Sequence, residues 1–433
     1  MGATRSRFGL PISFILLMLT TSAFGSGFAL FEHGAKAVAM GGAFAATADD
    51  PSAIFYNVAG IAQQRRGEVL FGDTAITFQN SFTGDPNDLF TAGTQGSAYR
   101  AHTFSVPNAY VTVPFGGNMT FGVGVFSPFG LRTNWQQPWV GRFVSNDANI
   151  KTVSVEPALA WQTSDGRLAI GAGAEYRRAR VILDQTAGPI FNPFSGRLAD
   201  VADNYLSSDW SSKWGWNVGV LYKPTETWRF GASYRAPMTI GFNGTATITQ
   251  IPSGNAQFDA IVKSQLPPSQ PVSTSIPFPS FLYLAVGTGI VHNWDIEFDA
   301  VRNDWNRFKT LQINLLTTPQ ASVTRTENWK STWSYRLGAN HPVATHWDIR
   351  LGALYDKNPE PVTAVTPLLA DADREGVSFG VGYHNGPFVI DATEFALHFK
   401  ARGTNGTAVF PENINGTYKT DANLVTVNLG YRF

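Results

Sequence analysis

The stretch VTVNLGYRF, residues 425–433, alternates apolar and polar side chains to its end. Successive side chains of a β-strand point to opposite faces, so this stretch predicts a strand with one apolar and one polar face. The apolar face carries Val425, Val427, Leu429, Tyr431 and Phe433. The same period of two recurs along the whole chain, for example at 119–125, 168–176, 216–222, 228–234 and 333–339. This recurrence predicts an all-β protein.

Two further stretches place charged residues on the polar face. The stretch WDIEFDAV, residues 294–301, has an acidic polar face, and WDIRLGALYD, residues 347–356, has a mixed one. An apolar outside around a charged lumen is typical of a membrane β-barrel, but a soluble sandwich also alternates, with its polar face outward. Alternation alone therefore favours neither fold. We expect Asp295, Glu297 and Asp299, the acidic stripe, to form a hydrated wall of the lumen.

The connections favour the barrel. Short turns of the residue types that hairpins need lie at 116–117, 164–166, 224–226, 292–293, 342–345 and 385–386. They alternate with long polar loops at 80–102, 127–148, 184–212, 250–271, 304–327, 357–373 and 402–419. Six short turns and seven long loops predict fourteen antiparallel strands with both ends on the short-turn side. This is the architecture of a Gram-negative outer-membrane β-barrel with long extracellular loops.

The amino end divides into two predicted segments before the barrel. Residues 1–25 combine Arg5 and Arg7 with a short apolar run and small residues, which predicts a cleaved export signal and a mature start at Ser26. Residues 26–66 are rich in Ala and Gly, with helical stretches, and are too apolar for a solvated tail. A fourteen-stranded barrel has a lumen that needs filling, so we expect this segment to form a partly helical hatch inside it. The barrel then occupies residues 67–433.

Composition excludes several classes of function. The chain has 433 residues with 32 basic and 32 acidic side chains, so it lacks the positive charge that nucleic-acid binding requires. It has no Cys, and its seven His show no metal-binding spacing. Fingerprints of hydrolases, nucleotide-binding folds and P-loops are absent from the sequence. We therefore predict no catalytic residues, no metal and no cofactor.

Several stretches, in register along the mature chain, resemble the FadL family of outer-membrane transporters of long-chain fatty acids and hydrocarbons. They are SGF (26–28), GGAFAATADDPSAIFYNVAG (41–60), SPFGL (127–131), WVGRF (139–143), WDIEFDAVRNDWNRFKTLQI (294–313) and ENWKSTWSYRLGANHPVATHWDIRLGALYDKNPEPV (327–362). The resemblance implies a fourteen-stranded barrel with an amino-terminal hatch. It also implies that apolar ligands arrive from outside and leave sideways through an opening at a kink in the third strand.

The resemblance also implies where ligands bind. The hatch motif Asn-Pro-Ala, which lies against the lateral opening, matches Asn57, Val58 and Ala59, so Val replaces the family Pro. The head-group positions match Ser127 and Arg325, and a third, basic in the family, is Leu183 here. Losing that cation weakens a charge-assisted grip on a carboxylate and favours less polar ligands. Hydrophobic contacts are predicted for Phe28, Phe31, Phe55, Phe126, Phe129, Leu131, Trp135 and Trp139, with plug or loop packing as the alternative for these aromatics.

The predicted function is passive, substrate-gated diffusion of long-chain fatty acids or hydrocarbons across the outer membrane, with lateral release through the barrel wall. The expected partners are such a ligand, outer-membrane lipid and detergent-like amphiphiles, and the barrel is expected to be monomeric. A general water-filled porin is the alternative, followed by a barrel-borne hydrolase or adhesin. Whether the ligand is a fatty acid, an alkane or an aromatic stays open at this point.

Overall fold

The computed structural model describes residues 27–88, 90–94, 97–98, 103–291, 293–404, 406–407 and 414–433. The predicted export signal at 1–25 and the predicted mature start at Ser26 lie outside these residues. So do His292 of one predicted turn and parts of the predicted loops 80–102 and 402–419.

The described residues are dominated by β-strands. In chain order these are β1 Glu68–Gly84, β2 Ser97–Ala98, β3 Thr103–Phe115, β4 Met119–Phe126, β5 Gly130–Asn134, β6 Asp147–Gln162, β7 Leu168–Ala187, β8 Ile190–Asn192, β9 Arg197–Ala199, β10 Ala202–Ser208, β11 Ser211–Tyr222, β12 Trp228–Arg235, β13 Met238–Gln250, β14 Gln270–Phe278, β15 Phe281–Val291, β16 Trp294–Asp304, β17 Thr310–Leu315, β18 Val323–Thr326, β19 Ser331–Ala344, β20 Trp347–Asp356, β21 Arg374–Asn385, β22 Phe388–Phe399, β23 Arg402–Gly403 and β24 Gly416–Arg432.

Helices are few and short. The α-helices are α1 Ala35–Ala39, α2 Ala53–Tyr56 and α3 Ala256–Gln265, and 3₁₀ turns occur at Val58–Gln63, Val140–Phe143, Trp305–Arg307, Pro319–Ala321 and Val362–Ala364. Within the described part of the chain, no helix is both long and apolar enough to cross a bilayer.

The strands form the predicted closed barrel of fourteen antiparallel strands. The barrel closes between its first and last strands. β1 pairs with β24 along its whole length, from Glu68 opposite Arg432 to Gly84 opposite Gly416. Six of the barrel strands are interrupted and appear as the pairs β4–β5, β10–β11, β12–β13, β14–β15, β16–β17 and β18–β19. Two of these breaks, at 236–237 and 279–280, lie in mid-strand and the other four lie at or near predicted long loops, several of which contain paired strand residues.

Side chains alternate across the barrel wall as the sequence predicts. On β24, Leu429 is 57% exposed and faces outward, whereas its neighbour Asn428 is buried in the lumen. On β16, Phe298 is outward and exposed while Glu297 is fully buried. The predicted turn at 342–345 begins too early. β19 continues through Pro342 to Ala344 across a register shift, so the turn to β20 lies at 345–346.

The lumen is filled by the hatch, residues 27–64, and this corrects the interpretation of the acidic stripe. Glu297 accepts hydrogen bonds from the backbone N–H groups of Ala46 (2.7 Å) and Thr47 (2.6 Å). Asp299 accepts from Phe44 (3.1 Å) and Ala45 (3.0 Å). The expected hydrated wall is therefore wrong for these two residues, because the hatch backbone takes the place of water as their hydrogen-bond partner.

Glycines of the barrel wall let the hatch backbone approach closely. A Cβ atom at Gly352 would overlap the backbone of Met40 and Gly41, and one at Gly231 would overlap Ala45. The hatch therefore packs its backbone against the wall at separate strands, β12 and β20, and its central part is fixed there by both shape and hydrogen bonds.

Candidate functional site

The third barrel strand is kinked at Ser127, Pro128 and Phe129, between β4 and β5. Pro128 has no N–H to donate to a ladder, so the strand cannot continue its pairing unchanged. The hatch start takes the vacated positions: Leu30 N–H donates to Pro128 O (2.9 Å), and Gly130 N–H donates to Phe28 O (3.0 Å). The kink therefore pairs inward with the hatch.

This inward pairing opens the barrel wall. Pairing between β3 and β4 ends at Ala109 opposite Val125, and β5 pairs with β6 only among the described residues. Residues 103–108 of β3 keep β1 on one side and have no described strand partner on the other. Such a gap in a ladder is the lateral opening that the resemblance implied.

A pocket of about 390 Å³ occupies this opening, and we call it the lateral pocket. Its volume lies within the range of ordinary small-molecule sites. Its lining is Leu30, Ile76, Phe78, Phe104, Ser105, Val106, Pro107, Ser127, Phe129, Gly130, Leu131, Arg132, Asn149, Ile150, Lys151, Thr152, Val153 and Trp210. The wall is mainly apolar, with two cations at its rim. One of them, Arg132, is paired with Asp147 at 2.6 Å.

A second cavity, of about 70 Å³, lies on the lumen side of the kink, and we call it the inner cavity. It shares Leu131 and Ile150 with the lateral pocket. Its other lining residues are Phe28, Ala148, Val181, Leu183, Thr274, Ile276, Phe308, Leu311, Ile313, Glu327, Trp329, Glu360, Thr366, Leu368 and Leu369. At this volume it is too small for a long ligand, and Phe28 forms part of its wall.

Phe28 is the centre of an aromatic cluster. Its ring lies 4.6 Å from that of Trp305, with Phe278 at 5.9 Å and Phe129 and Trp329 both at 6.1 Å. These edge-to-face contacts add to the stabilisation from burial. The first aromatic residue of the described hatch therefore joins the wall of the inner cavity to this cluster.

Three buried carboxyl groups lie at the same end of the barrel, in the loops. Glu327 Oε2 accepts a hydrogen bond from the Trp329 indole (3.0 Å), Glu360 Oε2 from the Asp371 N–H (2.9 Å), and Asp371 Oδ2 from the Gly27 N–H (2.9 Å). Burial raises the pKa of both Glu327 and Asp371 to about 7. Burial, with the neighbouring charges of Asp371 and Glu327, raises the pKa of Glu360 well above its ordinary value.

The predicted contact residues separate into three groups. Phe28, Phe129, Leu131 and Ser127 meet at the kink and line the two cavities. Phe31, Phe55 and Phe126 pack inside the hatch core, where Phe55 lies 5.4 Å from Phe126 and 6.5 Å from Phe31. Trp135 and Trp139 stack at 4.2 Å in a separate cluster with Phe82 and Tyr418 under the loops. Ligand contact by all three groups stays a prediction.

The hatch motif and Arg325 are placed beside the site. Asn57 Nδ2 donates to Ala45 O (2.7 Å) and to Val220 O of β11 (3.0 Å), and Val58 and Ala59 pack against Gly171 of β7. These residues are not among those that line the lateral pocket. Arg325 lies on β18, opposite Leu311 of β17, and acts electrostatically on Glu327. It is not among the residues that line the inner cavity. Their predicted roles stay predictions.

Sequence reasoning missed the residues that give the inner cavity its chemistry. Glu327 and Trp329 lie within a stretch quoted only for its resemblance, and Glu360 and Asp371 lie in a loop without any periodic pattern. A lone loop carboxyl carries no local signal of burial, so these could be found only from the fold.

Comparison with known proteins agrees with this geometry. Residues 16–433 match the family model described as outer membrane protein transport protein (OMPP1/FadL/TodX). The long-chain fatty acid transport protein of Escherichia coli O6:H1 is 23% identical over 438 residues, covering 96% of each chain.

Two solved structures share the fold. The Pseudomonas aeruginosa FadL homologue superposes with a TM-score of 0.81 at 19% identity, covering 95% of this chain and 100% of that one. The P. putida toluene transporter TodX gives 0.74 at 15% identity, covering 93% and 98%. Since the family model spans nearly the whole chain, this protein belongs to the OMPP1/FadL/TodX family of outer-membrane transport proteins.

Proposed function

We propose that the protein carries long-chain fatty acids or hydrocarbons across the outer membrane by passive diffusion. The observation that supports this most is the apolar route formed by the inner cavity, the kink and the lateral pocket, which share Leu131 and Ile150. The names of the relatives point the same way, one being a long-chain fatty acid transport protein and another a toluene transporter.

Binding of the ligand would open the route. Phe28 and Leu30 stand between the two cavities and are bonded through their backbone to the kink. A ligand that occupies the inner cavity competes with the Phe28 ring for the same aromatic walls. Displacing the segment 27–30 would join the inner cavity to the lateral pocket, so the substrate itself acts as the gate.

Release would then be sideways, into the membrane. An apolar chain gains roughly 0.8 kcal/mol for each methylene removed from water, so it moves more readily between apolar surfaces than through a polar lumen. The lumen is also obstructed, because Glu297 and Asp299 hold the hatch backbone in place. The lateral pocket, in contrast, lies in the barrel wall.

The head-group and hatch roles are part of the proposal. Ser127 lines the lateral pocket, where its hydroxyl is placed to meet a polar group of a ligand that passes the kink. Arg325 would act from beside the inner cavity through its charge. Asn57, Val58 and Ala59 would keep the hatch seated while the segment before them moves. We further propose that the barrel acts as a monomer without catalytic activity, in line with relatives that are named as transporters.

Uptake measurements test the function. Labelled oleate and labelled toluene are supplied to Gram-negative cells that lack their own transporters, with and without this protein in the outer membrane. The proposal predicts faster uptake of at least one compound when the protein is present. If cells with and without the protein take up each compound at the same rate, the proposal is contradicted. The porin alternative instead predicts high conductance to small solutes that does not change when residues 26–60 are deleted.

A further inference from the structure

The inner cavity combines apolar walls with acidic groups and has no cation in its lining. Glu327 is 8% exposed and Glu360 4% exposed, and both line the cavity. Leu183, at the position where the resemblance implies a cation, lines it too. A carboxylate ligand would therefore meet two carboxyl groups in place of a positive partner.

The two carboxyl groups that line the cavity keep unused acceptor capacity. Glu327 and Glu360 each use Oε2 for the hydrogen bonds to Trp329 and to the Asp371 N–H. Among the described residues, neither Oε1 atom takes part in a hydrogen bond, so each can accept one from a ligand in the cavity that both side chains line. A carboxyl oxygen in a largely apolar site is stabilised by a donor that a ligand supplies.

The nearest cations do not cancel this character. Arg402 donates to the backbone oxygen of Glu360 at 2.6 Å, so this bond does not engage the carboxyl group. Arg325 influences Glu327 electrostatically from outside the lining. Arg374 also acts on Asp371 electrostatically, so the arginines near these three carboxyl groups, Arg325, Arg374 and Arg402, all lie outside the described lining of the cavity.

Resting on the proposed function, we propose that the inner cavity selects hydrophobic molecules whose head group donates hydrogen bonds, such as alkyl amines and alcohols, over carboxylates of equal chain length. The apolar walls hold the chain, and the Oε1 atoms of Glu327 and Glu360 accept from the head group. The positive charge of an ammonium group favours the ionised, accepting form of these carboxyl groups, whose pKa burial raises, and it gains a charge-assisted hydrogen bond, whereas a carboxylate ligand supplies no donor and opposes their ionisation.

Binding of four probes with the same twelve-carbon chain tests the selection. The purified full-length protein in detergent is dialysed to equilibrium at pH 8 against dodecylamine, 1-dodecanol, dodecanoate or dodecane, with protein-free micelles as the blank. Dodecylamine is expected to bind about tenfold or more tightly than dodecanoate, since a charge-assisted hydrogen bond exceeds the tenfold energy step. Dodecanol is expected between the two.

A double variant, Glu327→Gln with Glu360→Gln, should shrink the amine-to-carboxylate ratio to less than about threefold by removing both charges at constant shape. The exposed turn residue supplies the matched control, Glu226→Gln, which should keep the full ratio. Unheated gel mobility shows whether each barrel is folded. A flat or reversed order in the unmodified protein would overturn the selection, as would a ratio that the double variant leaves unchanged.

Dodecane distinguishes a failure of the head-group selection from a failure of the proposed transport function. It has no head group, so it should bind the unmodified protein and the double variant alike. If dodecane binds and the head-group order fails, only the selection is refuted. If none of the four probes binds above the micelle blank and the protein speeds the uptake of neither oleate nor toluene by cells, the proposed function itself is refuted.

Discussion

Two parts of the hatch are equally buried but are held in different ways. The hatch body, residues 39–60, is fixed to the barrel wall by the carboxylates of Glu297 and Asp299 and by the Ser378 hydroxyl, which donates to Ala39 O and accepts from the Gly41 N–H. The leader segment, residues 27–30, is held by Asp371 of a loop and by the backbone of the kink.

The difference shows how one segment can both seal a barrel and admit a ligand. The body is bonded to strands of a closed sheet, which cannot move individually, so the lumen stays blocked. The leader is bonded to a loop and to an interrupted strand, and it lies between the inner cavity and the lateral pocket. Under the proposed function, a ligand would therefore have to displace only the leader.

Removing the anchors of the body should have the largest effect. In a double variant, Glu297→Ala with Asp299→Ala, four buried backbone N–H groups lose their acceptors, each at a cost of about 1–3 kcal/mol. We expect the hatch to loosen and single-channel conductance in planar bilayers to rise severalfold. Glu226→Gln, in an exposed turn, is the control and should conduct like the unmodified protein. Unchanged conductance in the double variant would mean that these carboxylates do not hold the hatch.

Removing the ionisable group of Asp371, the loop residue that holds the leader, should have a smaller effect, a pH-dependent change in the stability of the barrel. In the unfolded chain Asp371 ionises near pH 4, whereas burial in the folded protein raises its pKa to about 7. As pH rises from about 4 to about 7, the unfolded state loses this proton first, so the folded state loses stability over that window and no more above it.

Asp371→Asn removes this titration. The midpoint temperature of the unmodified barrel should therefore fall relative to that of the variant between pH 4 and pH 7, with a constant difference at higher pH. Heat-dependent gel mobility measures both. Burial also raises the pKa of Glu327 and of Glu360, so these two groups make stability depend on pH as well. Because both groups are present in the unmodified protein and in Asp371→Asn, the difference between the two proteins isolates the contribution of Asp371. Parallel midpoints across this range would show that Asp371 is not buried as described.

The Ser127 hydroxyl should matter least. It lines the lateral pocket at its edge and is only half-buried, so its loss removes one hydrogen-bonding group at a wet site. Ser127→Ala is expected to change the uptake rate by about twofold or less, because such a bond contributes about 0.5 kcal/mol. A loss of uptake much greater than this would make Ser127 a principal ligand contact.

The sequence was sufficient for the barrel but not for the inner cavity, and the reason is physical. Alternation and turns are local, so the strands around Phe298 and Leu429 could be assigned from period alone. The partners of Glu297 and Asp299 lie about 250 residues away in the chain, and no local pattern reports them. The hatch was recognisable from composition, whereas the burial of Glu360 depends on how a loop folds over Phe28.

The resemblance filled part of that gap. It predicted a kink in the third strand, a head-group position at Ser127 and a cation-free position at Leu183; the structure places Ser127 at the lateral pocket and Leu183 at the inner cavity. The resemblance did not identify Glu327 as a cavity residue. The stretch 327–362, which begins at this residue, served only to identify the family.

A reversible cross-link between the leader and the kink tests the central claim most directly. Ala29 and Phe129 form an antiparallel pair flanked by the two backbone hydrogen bonds, a geometry in which Cα atoms lie about 4.5 Å apart, within disulfide range. The chain has no Cys of its own, so Ala29→Cys with Phe129→Cys gives a single disulfide. With the disulfide formed, uptake of oleate and toluene should stop, and reduction of the same protein should restore it. Equal uptake before and after reduction would show that substrates pass without displacing the leader.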